Sequence, residues 1–379
     1  MTAAADSLEA AIAEGADRLF GALASQEPQT RSRVSDDWAR GAWAQLAEQG
    51  YPQAMADEAQ GGIGANWQDI WPLLHGVGRH QLALPLAETV VAIGLAAPLG
   101  IGPAQLGGEP LSLAWGAQTR GLRVEPGAAG SAVTLRLSGR LERVAWASRA
   151  GHLLAWLPGT GLALIDLVDS ARVRIEAADD VADQPCDTLQ LDQAKAELIG
   201  FSRRAQPPGC ADPVLTVGAA ARSIVMVGAL ESVLEQTVRY AAERVQFGRP
   251  IGRHQALQFQ IAHLAGEVAT ARASARAAAA ALSVVPAGDY DRRAVTAVAV
   301  AKLVAGEAAA VAIATGHQVH GAIGFTREHR LHRATHRLWA WRAEFGAESW
   351  WADQIGAAVI AAGAPAFWPA LTDGAMLPA

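Results

Sequence analysis

Cysteine is scarce: Cys186 and Cys210 are the two in 379 residues. They form neither a CxxC nor a CxxxC pair, so a structural zinc site has no ligand spacing to rest on. Both read as ordinary thiols of a reducing cytoplasm. Excess positive charge is also missing. Lys and Arg number 31 against 37 Asp and Glu, and the net charge of −6 gives no global reason to bind nucleic acid or an anionic membrane. Charged residues make up 18% and hydrophobic ones 51%, which excludes a disordered chain and allows a large core. No signal peptide is visible, because "MTAAADSLEAAIAEGADRLF" is acidic and suits an amphipathic helix. The alanine-valine runs at Ala277–Leu282 and Val295–Val311 are short or broken by Lys302 and Glu307, so no bilayer span is expected. A cytoplasmic protein is expected.

What remains is a chain long enough for two or three domains, with three textures. From Ser7 to about Ala97, apolar residues recur at helical spacing: Leu8, Ile12, Leu19, Leu23, then Trp43, Leu46 and Trp71, Leu74. The Gly-rich loop "DEAQGGIGANW" (Asp57–Trp67) interrupts them. From about Pro103 to Pro207, short apolar runs divided by Gly and Pro read as strands, with alternation at Val133, Leu135 and Leu137. A small β-barrel or sandwich follows from that spacing. Beyond Asp212 helices return. One carries Ile224, Val227, Leu230, Leu234 and Val238, the next Phe259, Ala262, Ala265 and Val268, and a third runs from Arg292 to His320. Their alanine content permits close, bundle-like packing. The expected class is α+β, mainly α. The expected divisions are 1–103 (helical), 104–207 (β) and 208–379 (helical bundle).

The stretch "YAAERVQFGRPIGRHQALQFQIAHLAGEV", from Tyr240, predicts a helix end near Arg244, a turn at Gly248-Arg249-Pro250 and a restart near His254. Free amides at the new N-terminus and the helix dipole favour an anion. The Arg244 guanidinium suits a phosphate, and Phe247 can cover an aromatic ring. Equally, Arg244 in a salt bridge and Phe247 in a core would make a plain helical hairpin.

The ordered combination resembles the signature of the acyl-CoA dehydrogenase family, as does "QVHGAIGFTREHRLHRATHRLWAWRAEFG" farther on. "DEAQGGIGANW" and "GRHQLALPLAETV" extend the resemblance to the N-terminal region, and the β region carries it weakly. The family fold is a helical N-terminal domain, a middle β-barrel and a C-terminal four-helix bundle. The resemblance implies that Arg244, Gln246 and Phe247 reach flavin adenine dinucleotide (FAD), usually that of a neighbouring subunit, with His254 and Gln255 adding contacts. Gln318, Gly321 and Ala322 match the family's "Q-x-x-G-G" segment along the adenosine pyrophosphate, with alanine at the second glycine. A glycine permits close backbone approach to a ligand, and Ala322 adds a methyl there. The implied activity is α,β-dehydrogenation of an acyl-CoA, with electron-transfer flavoprotein as acceptor.

Such chemistry needs a carboxylate near the substrate α-carbon. In many members it is the Glu of a Glu-Gly pair, but the register here places Phe345 on that Glu and Gly346 on the Gly. Glu344 lies one residue early, a turn of about 100° on a helix. The family's alternative base position falls near Gly218, which carries no carboxylate. Glu344 is therefore the candidate base and Glu348 the second. The family's "TEP-x-x-GSD" type loop is also missing from Leu111–Leu122. A chain that keeps trans-acting flavin contacts but lacks much of its own pocket resembles the small subunit of heteromeric acyl-CoA dehydrogenases. An α2β2 assembly with a second such chain is expected, with a homotetramer as the alternative. A non-catalytic structural subunit, a flavin monooxygenase and a DNA-binding flavoprotein are the rival readings.

Other features read more blandly. His329, His332 and His336 stand at helical spacing but among arginines, which repel a metal ion. The basic-aromatic run Arg327–Arg342 is short for a nucleic-acid surface, so no metal and no nucleic acid are expected. Trp339, Trp341, Trp350 and Trp351 suit a core or a subunit interface, with the lining of an acyl pocket as the alternative. Asp57–Gly64 suits a solvated loop, with a place at the acyl end of a pocket, implied by the family resemblance alone, as the alternative.

Overall fold

The computed structural model describes residues 7–27, 35–127, 134–169, 171–200, 212–246 and 248–377. Four helices open the chain: α1 (Leu8–Gln26), α2 (Asp36–Glu48), α3 (Trp71–His80) and α4 (Leu86–Ala96). Ser7 and Ser35 cap the first two, their hydroxyls accepting the amides of Ala10 and Trp38. α1 buries Ile12 and Leu23 of the expected stripe together with Ala16 and Phe20, whereas Leu19 is partly buried and Leu8 is 38% exposed. The Gly-rich loop breaks the helices as its composition predicts, with Gly61 and Gly64 at φ +88° and +63°. None of Asp57–Gly64 lines the cleft described below.

The middle of the chain folds into a small sheet. Its strands are β1 (Leu111–Ala114), β2 (Arg123–Pro126), β3 (Thr134–Ala145), β4 (His152–Leu157), β5 (Gly161–Asp166), β6 (Val173–Glu176) and β7 (Cys186–Gly200), with one helical turn, α5 (Gly116–Thr119), after β1. The order is β1-β4-β5-β7-β3-β2, with β6 also on β7, and every pairing is antiparallel except β1 with β4. The sheet curls until β1 lies beside β3, although no hydrogen-bonded register joins those two strands. Alternation decides its two faces. Leu154, Trp156, Leu162 and Leu164 turn to the helical core, while Leu153, Ala155, Ala163 and Ile165 form a second core within the sheet. Val133 of the expected alternation lies outside the described residues.

The chain then returns to helix with α6 (Pro213–Glu243), a minute hairpin of β8 (Val245–Gln246) and β9 (Arg249–Pro250), and α7 (Gln255–Ser283). α8 (Arg292–His320), α9 (Leu331–Ala343), α10 (Glu348–Ala362) and α11 (Ala364–Thr372) follow. α6, α7 and α8 pack on one another, and α9 and α10 complete the bundle. α3 and α6 meet backbone to backbone. A Cβ on Gly78 would sit 1.8 Å from the Val225 carbonyl oxygen, and one on Gly228 2.1 Å from that of His75, so glycine is required at both.

Two expectations need correction. The core face of α7 is Leu264, Val268, Ala271, Ala275 and Leu282, whereas Phe259 is 75% exposed. Phe259 stands five residues before Leu264, about 140° around the helix, so choosing it as anchor set the wrong phase. Second, α6 and the segment Arg292–Phe325 are long and apolar enough to cross a membrane, because helical length continues through Lys302. The apolar window of α6 is wholly buried inside the protein, as in the core helix of a soluble fold.

Candidate functional site

Arg244 leaves α6 in extended conformation, its amide still donating to the Tyr240 carbonyl at 2.9 Å. Val245 then pairs with Pro250 and Gln246 with Arg249, and Gly248 sits at φ +78° in the turn. That positive φ explains the glycine. Phe247 lies outside the described residues. Arg244 and Gln246 are exposed and occupy alternate positions, which places them on one side of the strand. Among the described residues the Arg244 side chain has no ion-pair partner, unlike the salt bridge of a plain hairpin. His254 precedes α7 without a side-chain cap bond and meets Arg249 at 3.3 Å through Nδ1. Gln255 opens α7, exposed, beside the first-turn amides that α-helical geometry leaves without internal partners.

Gln318, Gly321 and Ala322 lie at the end of α8 and in the 310 turn Gly321–Phe325, all exposed. Gly321 takes φ +62° and ψ −143°, and a Cβ there would meet nothing within 4 Å, so its backbone stands open to a ligand. Ala322 is not at positive φ, and its methyl adds bulk without backbone strain. Rings connect this turn to the Arg244 segment. Tyr240 stacks on His320 at 4.5 Å, and His329 meets both edge-on.

Glu344 follows α9 and borders a cleft of about 590 Å³ against the sheet. Trp115, Glu142, Arg143, Asp180, Cys186 and Trp339 share that lining. Its side chain keeps 20% of its surface exposed and its carboxylate accepts from Arg222 Nη2, which also donates to Glu88, both at 2.5 Å. Arg222 and Glu88 are almost fully buried. Burial pushes the Glu344 carboxyl above the usual range, against the pull of Arg222. Glu348 is elsewhere: it opens α10 and pairs with Arg342. Burial would raise its carboxyl, but the Arg342 hydrogen bond holds it below the usual range.

The two base positions converge in space. Phe345, at φ +52° and 7% exposed, lays its ring against Gly218, where an added Cβ would sit 2.3 Å from a ring carbon. An aromatic ring thus fills the place to which both registers point. Lys302, fully buried on α8, donates to the carbonyls of Arg342 and Gly346 at 2.9 and 2.8 Å and so fixes the turn. Trp351 Nε1 donates to the Phe345 carbonyl at 3.1 Å. Trp341 and Trp351 are core residues, while Trp339 is half exposed on the cleft.

The basic run turns largely inward. Arg333 and Arg337 reach buried Glu27, and Arg342 takes Glu348, which leaves Arg327 and Arg330 as its exposed arginines. That is a poor surface for DNA. Among the described residues no three His, Cys, Asp or Glu side chains converge as metal ligands.

The chain, a helical body with an inserted sheet, belongs to the acyl-CoA dehydrogenase family. The family model for the acyl-CoA dehydrogenase C-terminal domain matches residues 211–360. Acyl-CoA dehydrogenase IpdE2 of Mycobacterium tuberculosis is 30% identical over 294 residues, 76% of this chain and 77% of the relative. Acyl-CoA dehydrogenase FadE27 of the same organism is 27% identical, covering 84% and 87%. Among solved structures, the Tcur3481-Tcur3483 steroid ACAD G363A variant superposes with a TM-score of 0.78 at 25% identity, covering 92% and 98%. The ChsE4-ChsE5 complex from Mycobacterium tuberculosis shares the fold, with a TM-score of 0.80 at 24% identity, covering 94% and 98%.

Proposed function

We propose that this chain is one subunit of a heteromeric, FAD-dependent acyl-CoA dehydrogenase and that it completes a flavin site on a second, related chain. The observation that carries this is the pairing of a filled base position with open cofactor contacts. Phe345 packs on Gly218 and Glu344 is held by Arg222, while Arg244, Gln246, Gln255, Gln318 and Gly321 face outward. The outward set fits FAD: Arg244 and the α7 amides are donors for a pyrophosphate, and Gly321 allows close approach. The chain's own cleft fits it poorly, since among the described residues Glu142, Asp179, Asp180 and Glu344 line it with one cation, Arg143. The double designation of the Tcur3481-Tcur3483 relative also favours a pair of chains.

In this reading the bound flavin supplies the hydride acceptor of α,β-dehydrogenation. Arg244 neutralises phosphate charge, Gln246 and Gln318 orient the dinucleotide, and His254, Gln255 and Ala322 border it. The α-proton is removed by a carboxylate of the partner, because Glu344 is turned to Arg222. Electron-transfer flavoprotein is the proposed acceptor and the cytoplasm the proposed location. The chain purified alone is expected to be colourless, and to gain flavin absorbance with a co-expressed acyl-CoA dehydrogenase-like partner. That flavin should bleach with one of a panel of acyl-CoA thioesters, steroid-derived ones included. Stoichiometric flavin in the lone chain, bleached by an acyl-CoA, refutes the shared-site reading.

A further inference from the structure

Five of the ten histidines lie between residues 317 and 336, and two of them, His317 and His320, pack against the 310 turn Gly321–Phe325. Phe325 stacks on His317 at 4.0 Å, which holds the far end of that turn. His320 holds the near end. Its ring stacks on Tyr240, one turn before Arg244, and His329 closes edge-on at 4.7 Å. Two segments eighty residues apart in the chain are therefore joined through one imidazole: the Arg244 hairpin by way of Tyr240, and the Gln318–Ala322 turn by way of His320 itself.

We infer that Tyr240, His320 and His329 form a positioning staple that sets the spacing of the two cofactor-contact segments, and that it holds only while His320 is neutral. The inference rests on the proposed function for its purpose but not for its geometry. His320 Nδ1 donates to the Gly316 carbonyl at 2.7 Å, and among the described residues buried Nε2 has no hydrogen-bond partner. A proton on Nε2 would place an unpartnered charge in the interior. The attraction of an imidazolium for the Tyr240 ring opposes this, but a buried donor with no acceptor outweighs one ring contact.

No carboxylate is hydrogen-bonded to His320 among the described residues, although Glu235, Glu243 and Glu328 line the cleft beside Tyr240 and His329. His317 acts on His320 from α8 and Tyr240 faces it from α6. The adjoining cleft carries Arg79 of α3, Glu235, Arg239 and Glu243 of α6, Glu328, His329 and Arg330 of the turn before α9, and Arg333 of α9. None of the five histidines pairs with a carboxylate among the described residues. Burial holds His317, His320, His329 and His332 below the ordinary histidine range. With the folded value lowered, the staple is intact above about pH 6.5 and weakens as pH falls below it.

The test is hydrogen exchange of the peptide spanning residues 317–330 in the full chain, corrected for intrinsic rates, between pH 7.5 and 5.0. Wild type is expected to lose protection by about tenfold across this range, and α7 to change little. His320→Phe keeps a stacking ring without a titrating nitrogen, and should flatten that dependence. Tyr240→Leu should loosen the peptide at every pH. Equal acid loss in wild type and His320→Phe, or no loss in wild type, overturns the staple. If His320→Phe fails to fold, the Tyr240→Leu result and the titration of the His320 ring by NMR decide it. A pH-independent exchange of the Tyr240→Leu peptide at wild-type protection, or a His320 ring that titrates at or above pH 6.5, refutes it.

Flavin retention by the chain with its partner, over the same pH range, separates the two readings. Acid-sensitive exchange without any flavin leaves the staple standing and removes the cofactor. Retained flavin with flat exchange does the reverse.

Discussion

Replacing Lys302 with Met should change how stability responds to pH. Burial pushes the ammonium down to about 7 from an ordinary 10.5, with Glu344 pulling up and Arg222 pushing down. Between those values the unfolded chain binds a proton that the folded chain does not, so stability rises with pH. The full span is worth about 5 kcal/mol at 1.36 kcal/mol per pH unit, for a difference of about 3.5 units. From pH 7.5 to 9.5, wild type should therefore gain roughly 2.5 kcal/mol that Lys302→Met does not. The substitution also leaves the Arg342 and Gly346 carbonyls without their donor, at about 1–3 kcal/mol each. Removing a buried ammonium offsets part of that loss near pH 7, and the offset vanishes at high pH. Urea unfolding of both proteins at several pH values reads the difference directly. Parallel pH profiles would refute the reasoning, since they would mean that Lys302 keeps its proton as easily inside as outside.

Other outcomes follow from the same geometry. Arg244→Ala should weaken flavin retention in the assembled enzyme at least tenfold, the loss of one charge-assisted contact of about 1.5–3 kcal/mol, measured by released flavin fluorescence. Phe345→Ala should cost about 3–5 kcal/mol in unfolding experiments. Gly218→Ala alone should destabilise by collision with the Phe345 ring, and adding Phe345→Leu should restore part of the loss. Asp212 caps α6, and burial pushes its carboxyl up to about 6 from 3.8, against hydrogen bonds from Gly116, Leu215 and Val214. Its folded value is raised, so stability should fall as pH rises from about 4 to about 6, and Asp212→Asn should remove that slope.

The helices were legible from spacing, although Leu8 and Val238 of the expected stripes are exposed at the ends of their helices, and α8 starts and stops at Arg292 and His320 as its pattern predicts. The strands were legible as short apolar runs divided by turn residues, with β4 and β5 split at the Pro158-Gly159 turn. The α7 face was not, because one large ring drew the phase away from an alanine-rich seam. The break between α6 and α7 was marked by Gly248, but two-residue pairing of β8 with β9 is too short to leave periodicity. The buried charges were hidden for another reason. Arg222 meets Glu88 and Glu344 across 134 and 122 residues of sequence. The visible signal was an arginine or lysine inside an otherwise apolar helix, at Arg222 and Lys302, which requires a partner without naming it. The convergence of Phe345 and Gly218 likewise needed three dimensions, although the register had flagged each position.

Asp212 bonds the Gly116 amide at 2.5 Å, across 96 residues that include most of the sheet. The helices on either side, α3 and α6, are pressed together at glycine, so the helical body closes regardless of what lies between. The sheet is thus an excursion with a clasped neck. Doubling the length of such a loop costs only about 0.6 kcal/mol in closure entropy. Evolution can lengthen, trim or re-sculpt the excursion while the two ends of the helical body stay in register, and this chain is free to change what its sheet touches without relearning how to fold.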